Sequence, residues 1–299
     1  MTIGIILVNY HTAQLTLRLI DSIKKFDTKR ICSVVIVDNS VSREERNLLL
    51  KADRDSVSFI FTEENIGFAR ACNIGAERLV SNGTEYLFFI NTDVILTTPT
   101  LYEIVRKLNE HVDIHLISPV IHAFPKKSFK PWFCGAKISK WNGKIKDISV
   151  PSGQSLYETD FISGCFLALR TADWRKLKGF DERFFMYVED VELSLRARKL
   201  GMKLVVIPQL EIMHEVGGSQ VEKTELRGLS VKNQNFLFHL EHKFRNRLLL
   251  YRGSEYFFNL VYFYWAIDLF FKSMKFFISR PRETKQLLYA CKFIINGKY

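Results

Sequence analysis

The side chains best suited to chemistry are an acidic pair at a helix start, an acid closing a buried strand and a late histidine. The richest segment is FDERFFMYVEDVEL, residues 180–193, where Phe184, Phe185 and Tyr187 precede Glu189 and Asp190. A carboxylate walled by aromatic rings is partly desolvated, and a helix N-terminus keeps it ionised. Asp190 or Glu189 could then take a proton from an attacking hydroxyl. The plainer reading is that Asp190 caps the helix and Glu189 is solvated. Asp93, in NTD (91–93), follows the apolar run YLFFI. An acid there can hold Mg2+ or Mn2+ against two phosphates, or sit in a solvated turn. His214, in IMHEVGGS, could complete that shell as a neutral imidazole, or pack as a structural histidine.

These groups need strands and helices to bring them together. IGIILV (3–8) and SVVIVD (33–38) are continuous apolar runs, as expected of strands buried on both faces. SFIF (58–61) and YLFFI (86–90) follow, with helices between: a stripe of Leu15, Leu19, Ile23 and Phe26, then SREERNLLLKAD capped by Ser42, then roughly 69–80. Such alternation builds a mostly parallel sheet covered by helices, with ligands outside the carboxyl ends of its strands. Polar residues follow three strands at that end: Asn9, Asp38-Asn39 and Asn91-Thr92-Asp93. Asp38 could accept hydrogen bonds from a nucleobase or ribose, or serve as a turn or cap. NIGFARACNIG (65–75) carries two N-x-G units, in which glycine permits close backbone approach and Asn65 and Asn73 offer donors and acceptors. Arg70, near the helix start, could face a phosphate; the plainer reading of the segment is a helix-entry loop with two packing glycines. The stretch 125–151 reads as loops and short strands, 161–170 as a strand, 190–200 as a helix ended by Gly201, and 203–208 as another strand.

The 299 residues are 47% hydrophobic and 25% charged, ordinary for a folded chain. Five scattered cysteines with no C-x-x-C argue against a disulfide framework or structural zinc and for a reducing compartment. The opening MTIGIILVNYH lacks a basic leader and cleavage site, so it reads as a strand rather than a signal peptide. The best apolar run, 256–271, is broken by Asn259 and Asp268. Net charge is +11, of which residues 217–299 carry +8, from 14 Lys and Arg against 6 Asp and Glu. A basic, Phe-rich tail suits an anionic membrane surface or a diphosphate-bearing partner. Its alternative is a helical lid or the interface of a homo-oligomer. No nucleic-acid-binding motif accompanies the charge, so nucleic acid is not the expected partner.

In this order, VNYH, VDNS, NIGFARACNIG, FINTDV, ISGCFLALR, GFDERFFMYVEDVELSLRARKLG and H-x-x-G-x-S (214–219) resemble the family 2 inverting glycosyltransferases. The branch resembled is the bacterial rhamnosyltransferase-like one, over about 3–219, with a basic echo in KFRNRLLLYR (243–252). The resemblance implies an α/β GT-A type nucleotide-binding domain, 1–216, with a mostly parallel central sheet flanked by helices. A helical, basic, aromatic extension, 217–299, would follow. It further implies that Val8, Asn9, Tyr10 and Asp38 hold the nucleoside, with Asn65, Gly67 and Asn73 shaping its pocket. Asp93 and His214 would bind Mg2+ or Mn2+ on the diphosphate, with Asn91 and Arg70 close by. Gly164 would lie where donor and acceptor meet, Asp190 would be the base with Glu189 beside it, and Arg196 would support diphosphate or carboxylates.

The sequence departs from the family's D-x-D, which is NTD here, and from E-D-x-D, which is EDVE and ends on the longer Glu192. The implied reaction is single displacement with inversion. It takes a nucleotide-diphosphate sugar, rhamnose favoured, to a polyprenyl-diphosphate-linked saccharide of a surface polysaccharide, at the cytoplasmic face of the membrane. A UDP-hexose or UDP-N-acetylhexosamine donor is the alternative. A non-catalytic sugar-nucleotide-binding protein is the competing class.

Overall fold

The computed structural model describes residues 2–26, 32–52, 56–125, 130–150, 153–215 and 245–252, with 242, 264, 265, 267, 271 and 274. The chain divides into two compact units. The first comprises Met1–Lys137, Lys146–Phe185 and Glu189–Glu222; the second comprises Ile138–Ile145, Met186–Val188 and Lys223–Tyr299.

In the first unit the expected alternation appears as β1 (Ile3–Asn9), α1 (Ala13–Phe26), β2 (Cys32–Asp38), α2 (Arg43–Leu49), β3 (Val57–Phe61), α3 (Phe68–Ser81) and β4 (Tyr86–Ile90). β1 is buried along nearly its whole length, as a strand covered on both faces must be. The buried stripe of α1 runs through Thr16, Leu19, Ile20 and Ile23, with Leu15 and Phe26 half-buried at its margins. Ser42 caps α2, its side chain accepting from the Glu45 amide. α3 packs closely on the sheet at Gly75, where a Cβ would come within 2.8 Å of Ile6 Cγ2. The second N-x-G glycine is therefore there for packing.

Next come β5 (Val94–Ile95), α4 (Thr100–Glu110), β6 (Ile114–Ala123), β7 (Ala136–Ile138), β8 (Ile145–Asp147), β9 (Tyr157–Glu158), β10 (Phe166–Arg170), α5 (Thr171–Leu177), α6 (Glu189–Lys199) and β11 (Lys203–His214). The large sheet has the order β3-β2-β1-β4-β10-β6-β11-β5, with β9 also on β11, while β7 and β8 pair separately. Strands β3, β2, β1 and β4 are parallel, as are β6 and β11. β10 enters between these parallel sets in the opposite direction. The fold is thus α/β with a mostly parallel central sheet, in which the short β5 and β9 pair antiparallel to β11 and β10 is the reversed strand between the parallel sets.

Two elements exceed the sequence reading. β6, with α4 before it, lies where no strand was expected. β11 runs on past Pro208 to His214, with its pairing to β6 shifted between Ile207 and Glu211. Proline contributes no N–H to a ladder, so the strand resumes only after an irregularity.

In the second unit the described helix is α7 (Arg245–Tyr251). Tyr251 Oη donates to the Gly143 carbonyl at 2.9 Å, and Trp265 Nε1 donates to the Asn142 carbonyl at 2.8 Å. Trp265 stacks on Tyr251 and lies under the Arg247 guanidinium, and it is buried. Trp265 therefore packs within its own unit and is not part of an exposed aromatic face. Most other tail aromatics lie outside the described residues. Among the described residues no helix is long and apolar enough to cross a membrane.

Candidate active site

Parallel pairing sets Asn9 directly beside Asp38 at the carboxyl ends of β1 and β2. The Asn9 amide donates to Asp38 Oδ1 at 2.9 Å and Glu45 Oε2 at 3.0 Å, and accepts from the hydroxyls of Thr12 and Thr16. It is fully buried and internally satisfied, so its work is to orient Asp38. Asp38 takes three bonds on Oδ1, from Asn9, Ser40 N and Ser40 Oγ. Oδ2 takes none among the described residues and is the atom open to a ligand. Asn39, whose sequence role was not apparent, binds Asn65 Oδ1, the Gly67 carbonyl, Thr62 and the Ile66 amide. One buried amide thus seats the whole 62–67 loop. Val8 is half-buried in register with Val37, and Tyr10 is half-buried with its ring edge-on to His11.

Asp93 follows β4 on the same edge. Its Oδ1 lies 3.1 Å from His214 Nε2, and the two side chains are nearly inaccessible. The antiparallel pair Val94–His214 between β5 and β11 brings them together across the sequence. His214 Nδ1 is buried without a hydrogen-bond partner among the described residues. The exposed Trp132 meets the same imidazole edge-on at 4.7 Å between ring centroids. One carboxylate oxygen and one imidazole nitrogen, facing each other, fit a divalent cation whose remaining ligands are phosphate oxygens and water. No cluster of three such protein donors occurs among the described residues, so the diphosphate would have to supply much of the shell.

The reversed strand supplies the other side. Because β10 is antiparallel to β4, its entry residues, not its exit, lie beside the NTD turn: the Asn91 amide donates to the Cys165 carbonyl at 2.9 Å. The Gly164 amide points to Asp190 Oδ2 at 2.9 Å, while the Val191 amide holds Oδ1 at 2.9 Å. Asp190 is therefore fixed by two backbone N–H groups and remains partly exposed. A Cβ on Gly164 would point at this carboxylate, 3.5 Å from Oδ2. The Cys165 thiol is pushed well up by burial and then by the charges of Asp93 and Asp190. Both carboxylates thus act on one buried sulfur.

Glu189 behaves differently from its neighbour. It is 6% exposed, and its Oε2 has no hydrogen-bond partner among the described residues. Burial, then the Asp190 charge, raises its pKa well above the ordinary glutamate value, which favours the neutral form. The sign of its linkage follows. Above about pH 4.5 the unfolded chain releases this proton and the folded chain keeps it, so stability falls as pH rises toward the folded value. Glu189→Gln removes that penalty. Its Tm should exceed that of the parent, by more at pH 8 than at pH 5 in thermal denaturation. A gain of the same size at both pH values would mean that the buried carboxyl is not the neutral group described.

Asn73 and Arg196 bond to the chain itself, Arg196 in the second of its two expected ways, to a carboxylate. Asn73 donates to the Phe180 carbonyl at 2.9 Å and Glu182 at 3.0 Å, and accepts from the Phe180 amide. Arg196 clasps Glu192 through two nitrogens, at 2.9 Å and 2.7 Å, and also donates to the Leu177 and Gly179 carbonyls. Both side chains hold the 177–182 loop, and Glu192 is Arg196's carboxylate partner. Arg70 lies 3.8 Å from Glu182 at the exposed rim, and Asn91 is half-buried at the NTD turn. Within the second unit, Asn246 is fully buried and donates to the carbonyls of Met186 and Tyr187. Tyr187 and Val188 take left-handed φ of 69° and 74° immediately before Glu189. Such strain persists only where it is held.

A family model described as Glycosyl transferase family 2 matches residues 4–175. The dTDP-rhamnosyl transferase RfbF of Shigella flexneri is 26% identical over 194 residues, covering 64% of this chain and 62% of that protein. The N-acetylglucosaminyl-diphospho-decaprenol L-rhamnosyltransferase of Mycobacterium tuberculosis is 43% identical over 54 residues, 18% of each chain. The chain thus spans less than two thirds of the length of these relatives. Among solved structures, GalNAc-T7 with UDP, GalNAc and Mn2+ superposes with a TM-score of 0.60 at 15% identity, covering 90% of this chain and 54% of that one. A likeness at that identity shows the shared fold.

Proposed function

The chain belongs to glycosyl transferase family 2, and from that premise we propose that it moves a sugar from a nucleotide-diphosphate donor to a saccharide hydroxyl. Rhamnose is the favoured sugar, since RfbF and the mycobacterial relative are both named for it. The mycobacterial name also specifies a lipid-diphosphate-linked acceptor, which is the acceptor class we propose for a surface polysaccharide. The observation that carries the reading is a pair of differently treated carboxylates that act on one buried sulfur, Cys165. Asp93 is buried against His214, while Asp190 is partly exposed and held by backbone amides.

In the proposed reaction Asp38 Oδ2 receives the nucleoside, and Asp93 with His214 faces the diphosphate. A divalent cation bound there would draw off the negative charge of the leaving group. Asp190 takes the proton of the acceptor hydroxyl as that oxygen attacks the anomeric carbon opposite the leaving diphosphate, so the configuration inverts. The amides of Gly164 and Val191 fix the carboxylate for in-line attack, and glycine at 164 leaves room for the acceptor beside it. A membrane-bound acceptor agrees with exposed Ile267, Phe271 and Met274, whose i, i+4, i+7 spacing puts them on one helical face. The same face would serve a second copy of the chain, and the site would work at the inner membrane surface.

The test is a thermal-shift and product screen of dTDP-rhamnose, UDP-hexoses and UDP-N-acetylhexosamines with Mg2+ or Mn2+. At least one donor should raise Tm in a metal-dependent way and release its nucleoside diphosphate faster when a lipid-diphosphate saccharide is added. Asp93→Asn, of nearly equal volume, should keep the metal-free Tm within about 2 °C and lose the metal-dependent increment. A parent protein indifferent to every donor, or an Asp93→Asn variant with the full increment, would sink this assignment.

A further inference from the structure

Trp132 is an unusual side chain to leave in water. Its indole is 42% exposed, yet the backbone around it is held firmly. Trp132 N donates to the Ile121 carbonyl at 2.8 Å, and Ile121 and Phe133 exchange bonds of 2.8 Å and 3.0 Å. Phe133 in turn packs edge-on against Phe161. The backbone that carries the indole is therefore tied to β6. What it does touch is His214, at 4.7 Å and an interplanar angle of 63°. Phe124, 45% exposed, is attached to the same residue, its amide donating to the His214 carbonyl at 2.7 Å. One exposed aromatic ring, Trp132, thus meets the imidazole that faces Asp93, and the exposed Phe124 is tied by its backbone to the same residue.

Exposed aromatic surface on a rigid support beside polar ligand-binding groups is the usual make-up of a ligand site. A pyranose has the matching chemistry: an apolar face of C–H groups for the ring, and hydroxyls that remain in water or meet polar side chains. An indole on an ordered backbone, with one edge already against His214, gains this contact at a reduced ordering cost.

We propose that Trp132 is a stacking platform for a pyranose ring entering beside the Asp93–His214 pair. This rests on the transferase reading, but it assigns a sugar contact that Asp93, His214 and Asp190 do not supply. The ring could be that of the donor or that of the acceptor, and the two sources separate in the test.

The full chain is titrated with Mn2+ and five probes: dTDP, dTDP-rhamnose, UDP, UDP-N-acetylglucosamine and a short-prenyl N-acetylglucosaminyl diphosphate. The parent, Trp132→Ala and Trp132→Phe are compared by calorimetry. In Trp132→Ala one sugar-bearing probe should bind about tenfold more weakly, while the sugar-free nucleotides bind as in the parent. Trp132→Phe, which keeps a ring, should recover most of the loss. Loss on a nucleotide sugar assigns the platform to the donor, and loss on the prenyl saccharide assigns it to the acceptor. Equal weakening of sugar-bearing and sugar-free nucleotides would overturn the proposal, leaving Trp132 as a prop for His214. Unchanged binding of all probes would overturn it too, as would a parent that binds dTDP and UDP but gains nothing from any attached sugar. A parent that binds no probe at all fails at the transferase reading itself, a different result from these.

Discussion

Turnover falls by about two to four orders of magnitude when Asp190 is replaced by Asn, the span associated with removing a positioned general base. The substitution keeps the shape of the side chain and one oxygen for the Gly164 amide. The second oxygen, which receives the Val191 amide at 2.9 Å, becomes an NH2 or must rotate. That loss costs about 1 kcal/mol, small enough for the fold to survive. The donor-induced rise in Tm should therefore be the same in Asp190→Asn and the parent, because Asp38, Asp93 and His214 are untouched. The rate of saccharide product at saturating donor is the measurement. A variant within about tenfold of the parent rate would remove Asp190 from the role of base.

Gly67→Ala should be the most damaging small substitution for the fold. Gly67 has φ 83° and ψ 168°, a region open essentially to glycine alone. A Cβ there would lie 2.6 Å from the Phe185 carbonyl oxygen and 2.6 Å from Phe185 Cδ2. The ring is free to turn only if its packing yields, whereas the carbonyl is held in place by the Phe68 amide at 2.7 Å. Strain and overlap together cost about 3 kcal/mol or more, a fall in Tm on the order of 10 °C. Gly83→Ala is the control: its φ is 78°, but nothing lies within 4 Å of the added carbon. Thermal denaturation of both variants separates the overlap from the backbone penalty. Equal losses would show that Phe185 yields freely. Activity should fall further than stability in Gly67→Ala, because Phe185 is five residues before Asp190.

The parallel half of the sheet was legible because β1, β2 and β4 are unbroken apolar runs, a pattern that burial on both faces requires. β6 was not, although it is among the longest strands. Pro119 and two histidines interrupt its apolar run, and a proline inside a run argues against a central strand. The extension of β11 was hidden for the same reason by Pro208. In the site, residue type was informative where the chemistry is narrow. Asp93, Asp190 and Glu189 stood out as acids at element ends, although only burial separates neutral Glu189 from its neighbour. Asn73 and Arg196 were harder. Their donors suit a phosphate as well as a loop carbonyl, and Asn73's partner Phe180 is 107 residues away. Trp132 had no local pattern, because its neighbour His214 reaches it only through the pairing of β6, β11 and β5. The tail's expected helix lies largely outside the described residues.

Cys165 between the two acids, and Cys72 beside Glu189, carry a consequence of their own. Burial raises both thiols well above their ordinary value; the charges of Asp93 and Asp190 raise Cys165 further, and Glu189 does the same for Cys72 once it ionises. Peroxide and electrophiles attack the thiolate, and an acid-lined cleft keeps that species scarce. Burial and the neighbouring acids thus disfavour the reactive thiolate at both sulfur atoms, which should make them slow to react with peroxide or alkylating reagents.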